Sequence, residues 1–201
     1  EAVRLSNNNP GSDTITFDPA LGLASILVDP VNGRLTVTDG VAIIGLGADV
    51  LTIDGQNETR VFTILDLDDL NQEDVSISGL TITGGSAFDV GGNEPLPSFG
   101  GGILNAENLT LDGVYVVNNQ AEIGGGGVQL LSSGSGTIRN STIAENIAVG
   151  GGGIQSEGAL AILNSTISGN TAVQDSVTGN AGIGAGIASF GSLTIDHSTI
   201  T

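Results

Sequence analysis

Hydrophobic residues recur along the chain as pairs whose members are five positions apart. The pairs are Ile77/Ile82, Leu111/Val116, Ile138/Ile143, Ile162/Ile167 and Ile195/Ile200. Around each member apolar and polar residues alternate, which predicts a short β-strand with one buried face. The segments around Ile138 and Ile162 are nearly identical and lie 24 residues apart, which predicts a repeat architecture.

The residue in the middle of each pair is of a type that tolerates a left-handed backbone. We therefore predict a one-residue corner between two strands at Gly79, Gly113, Asn140, Asn164 and His197. A second corner is predicted three residues after the second member of each pair, at Gly85, Asn119, Asn146 and Asn170. Stacked asparagines at corners are expected to form a ladder in which each amide bonds to the next.

A glycine cluster followed by an apolar residue recurs between the pairs, at residues 100–102, 124–127, 150–153 and 182–186. Neither a lysine nor a helical pattern follows these clusters, so they are interpreted as tight corners and not as phosphate loops. One rung would then contain three short strands and two or three corners. Rungs stacked at ~4.8 Å predict an all-β fold, a right-handed parallel β-helix, which is a solenoid with parallel ladders.

The pattern predicts a single β-helix domain over residues 1–201. Residues 1–13 are interpreted as an N-terminal cap, because Ala2, Val3 and Leu5 have helical spacing before Asn9-Pro10-Gly11. Residues 14–74 are expected to form early irregular rungs, and residues 75–201 regular ones.

Composition limits the kind of core that the chain can form and the kinds of partner that it can bind. Aromatic residues make up only 3% of the chain, so the core is expected to be thin and aliphatic, and the absence of cysteine excludes disulfides. The formal net charge of −18 repels nucleic acid, pectin-like polyanions and anionic membranes, so nucleic acid is not expected as a partner. No apolar run approaches the ~18 residues of a membrane helix, so insertion of this segment into a membrane is not expected.

Three segments carry a resemblance to a known family: EAVRLSNNNPGSDTITF at the start, LTVTDGVAIIGLGADVLTIDG, and VSISGLTITGG with the later GGGI and NSTISGNTA units. They resemble bacterial secreted and surface β-helix proteins with the CSLREA motif, whose last two residues would be Glu1-Ala2. The glycine units are also similar to polymorphic outer-membrane and adhesin-type passenger domains. The resemblance implies export, and therefore an extracellular or cell-surface location, although the Cys-Ser-Leu-Arg start of the motif is absent.

An acidic run offers the chemistry of a Ca²⁺ site, because this hard cation takes six to eight oxygen ligands. Its carboxylates are Asp66, Asp68, Asp69, Glu73 and Asp74. The run lacks the spacing of an EF-hand, so a solvated acidic turn is the other interpretation. No other cofactor is predicted.

Two insertions, residues 86–99 and 171–182, interrupt the period and are expected to project from one face of the stack. Asp89, Glu94 and Asp175 are the candidate binding residues in them. The insertions are interpreted either as decoration or as a module that binds surface glycans or proteins.

Many parallel β-helices are polysaccharide lyases or hydrolases, but the residues for that chemistry are sparse. Arg139 is the only basic residue of the regular rungs, and its slot in adjoining rungs is held by Asp112, Leu163 and Asp196. Asp112 and Asp196 would lie roughly 14 Å apart, too far for a glycosidase pair. An Asp112–Arg139 ion pair is expected, and the chain is not expected to be an enzyme.

The function expected from the sequence is that of a non-enzymatic structural or adhesive rod at the cell surface or in an extracellular matrix. Residues 192–201 end in the middle of a rung. If Thr201 is the true end of the chain, we expect an open parallel edge there, which pairs with another copy and builds a filament. If the chain is truncated, further rungs follow.

Overall fold

The structure is a computed structural model that describes residues 1–30, 33–66, 71–88 and 98–201. Within these ranges the chain is all-β apart from one short helix and a 3₁₀ turn, and its strands form four sheets. Every strand pairing in them is parallel. The predicted all-β class with long parallel ladders is confirmed.

The helix, α1, spans Ala2–Ser6, and the 3₁₀ turn spans Pro19–Leu21. Sheet 1 contains β1 (Asp13–Thr16), β4 (Val41–Ile44), β7 (Asp74–Ser78), β11 (Asn108–Asp112), β15 (Ser135–Arg139), β19 (Ala159–Leu163) and β23 (Leu193–Asp196). Sheet 2 contains β2 (Ala24–Leu27), β5 (Leu51–Asp54), β8 (Thr81–Thr83), β12 (Tyr115–Val117), β16 (Thr142–Ala144), β20 (Thr166–Ser168) and β24 (Thr199–Ile200).

Sheet 3 contains β3 (Leu35–Val37), β6 (Phe62–Ile64), β10 (Ile103–Asn105), β14 (Val128–Leu130), β18 (Ile154–Ser156) and β22 (Ile187–Ser189). Sheet 4 contains β9 (Ser86–Ala87), β13 (Gln120–Ala121), β17 (Ile147–Ala148) and β21 (Thr171–Ala172). In all four sheets the strands lie side by side in their chain order. The chain therefore visits the sheets in rotation, and one such passage is called a repeat below.

The register between repeats is held by columns of aliphatic residues. Ile138 is paired with Ile162, as the sequence predicts. The whole sheet 1 column contains Ile15, Ile43, Ile77, Leu111, Ile138, Ile162 and Ile195. A matching sheet 2 column contains Ile26, Ile53, Ile82, Val116, Ile143, Ile167 and Ile200. Because side chains alternate along a strand, these members face inward together.

One cluster of buried aliphatic side chains receives residues from sheets 1, 2 and 3, such as Ile162, Ile167 and Ile154. Sheet 4 contributes Ala87, Ala121 and Ala148 to a separate small cluster. Alanine at these inward positions fills little volume, which suits a narrow corner between two larger sheets.

The structure differs from the sequence prediction in the make-up of a repeat. A fourth strand, that of sheet 4, follows the second corner where three strands were predicted. Its two-residue members include residues 86–87 and 171–172, which the prediction assigned to the insertions. Two residues are too few to show an alternating pattern, so no sequence signal separated them from a loop.

The strands of the early repeats, β1 to β6, join sheets 1, 2 and 3 in the same register as the later ones, but none of them belongs to sheet 4. The connection from sheet 1 to sheet 2 also varies. From the sheet 1 column to the sheet 2 column the chain advances 11 positions between Ile15 and Ile26, but five between Ile162 and Ile167.

Helix α1 lies against β1 and β3, and Val3 packs on the aliphatic core. The side chain of Asn7 then pairs with the outer edge of β3: its Nδ2 donates to Thr36 O at 2.8 Å, and its Oδ1 accepts from Thr38 N–H at 3.0 Å. The amide thus satisfies two backbone groups that an uncovered edge strand would expose. No helix in the described part of the chain is long and apolar enough to cross a membrane.

Candidate binding surface

The first corner has a left-handed backbone at each predicted position. The φ angles are 59° at Gly79, 61° at Gly113, 52° at Asn140, 47° at Asn164 and 46° at His197. Asn164 Nδ2 donates to Asn140 Oδ1 at 2.7 Å, and Asn140 Nδ2 donates to Asp112 Oδ1 at 2.8 Å, so polar side chains bond along this corner. The His197 ring is exposed, with Nδ1 at 2.7 Å from Asp196 Oδ1, and its place is that of a corner residue.

The second corner carries a buried asparagine ladder. Asn119 Nδ2 donates to Asn146 Oδ1, and Asn146 Nδ2 donates to Asn170 Oδ1, each at 3.0 Å. The same oxygens also accept the backbone N–H groups of Asn119 and Asn146. The left-handed residue is the one before each predicted position, namely Gly84, Asn118, Glu145 and Gly169. These asparagines therefore join repeats, while their predecessors make the bend.

The predicted calcium ligands do not converge in the described part of the chain. Asp68 and Asp69 lie outside the described residues. Asp74 Oδ1 accepts from Asn108 Nδ2 at 3.1 Å, while the backbone N–H groups of Asp66 and Glu73 donate to the carboxylate of Glu107. Within the described ranges no group of three His, Cys, Asp or Glu side chains is placed to hold a metal ion.

Glu107 is a buried acid that the sequence pattern did not single out. The residue is 2% exposed, and its carboxylate accepts the N–H of Glu73 at 3.0 Å and that of Asp66 at 3.4 Å. Burial raises the pKa of Glu107 above its ordinary value, against the lowering effect of the two N–H donors. Glu107 thus ties the two ends of the acidic connection to the next repeat.

The polar column on the outer face of sheet 1 has the predicted order. Arg139 pairs with Asp112 on one side and Leu163 on the other, and Asp196 follows Leu163. Arg139 Nη2 lies 3.0 Å from Asp112 Oδ2, so these two side chains form the expected ion pair. An arginine that is paired in this way stabilises neighbouring repeats weakly at an exposed site.

Of the three acidic residues predicted to bind a ligand in the insertions, only Asp175 lies in the described part of the chain. Asp89 and Glu94 lie outside the described residues. Asp175 Oδ1 accepts the N–H groups of Val177 at 2.8 Å and Thr178 at 3.2 Å, and its Oδ2 accepts the Thr178 hydroxyl at 2.6 Å. The Thr178 hydroxyl and these N–H groups hold the pKa of Asp175 below its ordinary value. Asp175 therefore shapes its own loop while it keeps its charge.

An apolar groove lies beside this loop, at the ends of the sheet 4 strands. Its volume is about 550 Å³, and exposed apolar side chains line it: Phe88, Ile123, Ile147, Val173 and Val177. Glu122 and Asp175 lie in the same lining. We call this the sheet 4 groove. Sequence reasoning missed it because these apolar residues come from four repeats and show no common spacing along the chain.

No protein-family model, curated protein or solved structure matches this chain. The resemblance to proteins with the CSLREA motif, together with the bacterial origin and export that it implies, stays a prediction. The geometry of the described residues is therefore the basis for the functional proposals below.

Proposed function

We propose that the four sheets form one right-handed parallel β-helix, with α1 as its N-terminal cap. Two observations support this proposal. The strands of every sheet follow in chain order, and sheets 1, 2 and 3 share one aliphatic cluster. A chain that passes three such sheets in rotation, and buries their inner faces together, coils around that cluster.

We propose that this β-helix serves as a non-enzymatic structural or adhesive rod at the cell surface or in an extracellular matrix. The observation that carries the proposal is the run of seven parallel strands in sheets 1 and 2, in one register throughout the described ranges. Each repeat contacts its neighbours, so stiffness and length come from repetition. The charge of −18 favours a soluble rod whose sides repel one another.

The location can be tested in the organism that encodes the chain. Proteinase K added to intact cells, followed by detection with an antibody against this domain, is expected to reveal the chain outside the cell. A cytoplasmic marker protein serves as the protected control. A chain that stays protected until the cells are lysed would contradict a surface or matrix role.

The non-enzymatic part has its own test. Purified protein is expected to leave polyuronates and neutral polysaccharides unchanged in reducing-end and unsaturated-product assays. Activity that disappears in Arg139→Ala, but persists in the exposed-site control Arg4→Ala, would replace the rod by a carbohydrate-active enzyme.

We further propose that copies of this 201-residue chain associate end to end. A parallel ladder of this kind extends by adding a further strand in the same register, from the same chain or from another copy. At the other end α1 covers β1 and β3, so head-to-tail pairing requires its displacement. Sedimentation is expected to show concentration-dependent growth that increases when residues 1–9 are removed. Equal monomer content with and without them would count against a filament.

A second candidate function is the binding of surface proteins or glycans, and the sheet 4 groove favours it. Phe88 is the only aromatic side chain among the described residues that line this groove, while the aliphatic lining is extensive. Sugar binding commonly uses aromatic faces, whereas an aliphatic lining suits the side chains of a protein partner. Deleting residues 174–181 is expected to abolish binding in a pull-down from surface extracts, and unchanged binding would remove the loop from the site.

A further inference from the structure

The size and position of the sheet 4 groove limit what it can hold. Its lining comes from four successive repeats, through Phe88, Ile123, Ile147 and Val173. Four repeats at ~4.8 Å span about 14 Å along the stack. An extended chain covers that distance with four or five residues. A volume of about 550 Å³ is also within the range of ordinary ligand pockets.

The charge around the groove is negative. Glu122 and Asp175 both lie in its lining, and the Thr178 hydroxyl and backbone donors keep the pKa of Asp175 low. No basic side chain is found among the described lining residues. Arg139 pairs with Asp112, and Arg60 donates to the carbonyl groups of Phe99 and Gly100. The groove therefore complements a partner that is both apolar and positively charged.

A second copy of this chain lacks that complementarity. It carries the same charge of −18, so two copies repel when this face approaches its equivalent. Like charge opposes the approach of its carboxylates to Glu122 and Asp175.

We propose that the sheet 4 groove binds an extended peptide segment of another protein that carries both apolar and basic side chains. The apolar side chains enter between Ile147, Val173 and Val177, and the basic ones reach Glu122 and Asp175. This proposal rests on the second candidate function, binding at the sheet 4 groove, and it holds or fails independently of the structural role.

Fluorescence anisotropy with labelled five-residue peptides tests this proposal on the full 201-residue chain. The probe is acetyl-Leu-Arg-Phe-Arg-Leu-amide, compared with the same peptide carrying Glu for Arg and with acetyl-Ser-Arg-Gly-Arg-Ser-amide. We expect saturable binding of the first peptide alone, weakened by added NaCl because the contacts include charges. Absence of binding up to 1 mM, or equal binding of the Glu or Ser-Gly peptide, overturns the proposal.

Variants then locate the binding. Val177→Ser is chosen because this loop side chain is 86% exposed, so its replacement leaves the fold intact. Together with Ile147→Ser it is expected to weaken binding about tenfold, the usual effect of losing a small apolar anchor. Glu122→Gln is expected to reduce affinity about threefold and to flatten its salt dependence. Ile44→Ser, an exposed apolar site on sheet 1, is the matched control and should bind as the parent does.

The same variants test whether a second copy of the chain occupies the groove. Sedimentation of the parent chain and of Val177→Ser is expected to give the same oligomeric state. If Val177→Ser dissociates an oligomer of the parent, a second copy occupies the groove and the peptide proposal is wrong. Undiminished peptide binding in both Val177→Ser and the double variant also overturns it.

Discussion

The side-chain amide of Asn146 joins three repeats. Its Oδ1 accepts the backbone N–H and the side-chain amide of Asn119, and its Nδ2 donates to Val116 O and Asn170 Oδ1. The residue is fully buried, so no water replaces these partners. A buried donor or acceptor that loses its partner lowers the stability of the fold by its full desolvation energy, whereas one at the surface bonds to water instead.

We predict that Asn146→Ala lowers the free energy of unfolding by about 3 kcal/mol, because the N–H of Asn119 loses its acceptor inside the protein. Urea denaturation monitored by circular dichroism measures this loss in the free energy of unfolding. Asn164→Gly is the control: it removes an exposed ladder bond and keeps a residue suited to φ of 47°. Its expected loss is below about 1 kcal/mol. Equal losses in the two variants would show that burial of the ladder does not matter.

Glu107 makes stability depend on pH in a direction opposite to that of most carboxylates. Since burial raises its pKa in the folded state, folding favours the protonated form. The ionised form is therefore destabilising above the folded pKa. The stability lost in this way is recovered as the pH falls from the folded pKa to the unfolded value near 4.5.

We predict that the stability of the parent relative to Glu107→Gln rises as the pH is lowered from 7.5 to 4.5. Glutamine cannot ionise, so the difference between the two proteins isolates the contribution of this carboxyl group. Urea midpoints of both proteins at four pH values measure the difference. A difference that is constant, or that falls on acidification, would mean that the pKa of Glu107 is not raised.

The residues of the first corner were predictable from the sequence, whereas the second corner was predicted one residue late and the buried charges were not predicted. Positive φ restricts residue type locally, so Gly, Asn and His in register indicated the bend. Glu107 and Arg60 instead bind backbone groups of distant segments: Arg60 Nη2 donates at 2.7 Å to Phe99 O, 39 residues away. Nothing in the residues next to Arg60 or Glu107 records such a partner.

At the scale of the element, alternation of side chains decides which strands the sequence reveals. Ile162 in β19 lies between Ile138 and Ile195 in the buried column, and the next residue, Leu163, faces outward between Arg139 and Asp196. The strands around the paired residues of sheets 1 and 2 show this alternation and were predicted from it. The two-residue strands of sheet 4, and the groove outside them, were not, because they depend on how repeats are stacked.

Ile162→Asp is predicted to prevent folding, or to lower the melting temperature by more than 15 °C, since it buries an unpaired charge in an aliphatic column. Leu163→Asp in the same strand is the control and should retain a melting temperature within about 3 °C of the parent. Thermal melts followed by circular dichroism compare them. Folding of both variants with similar melting temperatures would contradict the inward position of Ile162.

At the scale of the whole molecule, the excess of acidic over basic residues opposes compaction. The chain has 22 acidic and four basic residues, and one of the four, Arg60, is buried. The parallel sheets hold the remaining charges at fixed positions along the stack. Mutual repulsion of these carboxylates is therefore relieved by unfolding or by salt.

We predict that raising NaCl from 0.05 to 0.5 M increases the urea midpoint, because the Debye length falls from about 14 Å to about 4 Å. A double variant, Glu145→Gln with Glu157→Gln, removes two exposed charges and should respond less to the same change. Denaturation curves at both salt concentrations test this. An identical response in parent and variant would assign the effect to something other than repulsion.

The columns of sheet 1 keep one register although the intervals between their members are unequal. From Ile138 to Ile162 the interval is 24 residues, and from Ile43 to Ile77 it is 34. The interior thus constrains the residues that occupy a column and leaves the bends free to lengthen. Descendants of such a gene can gain a whole unit by duplication, or a new segment at one bend, and inherit an interior that requires no redesign.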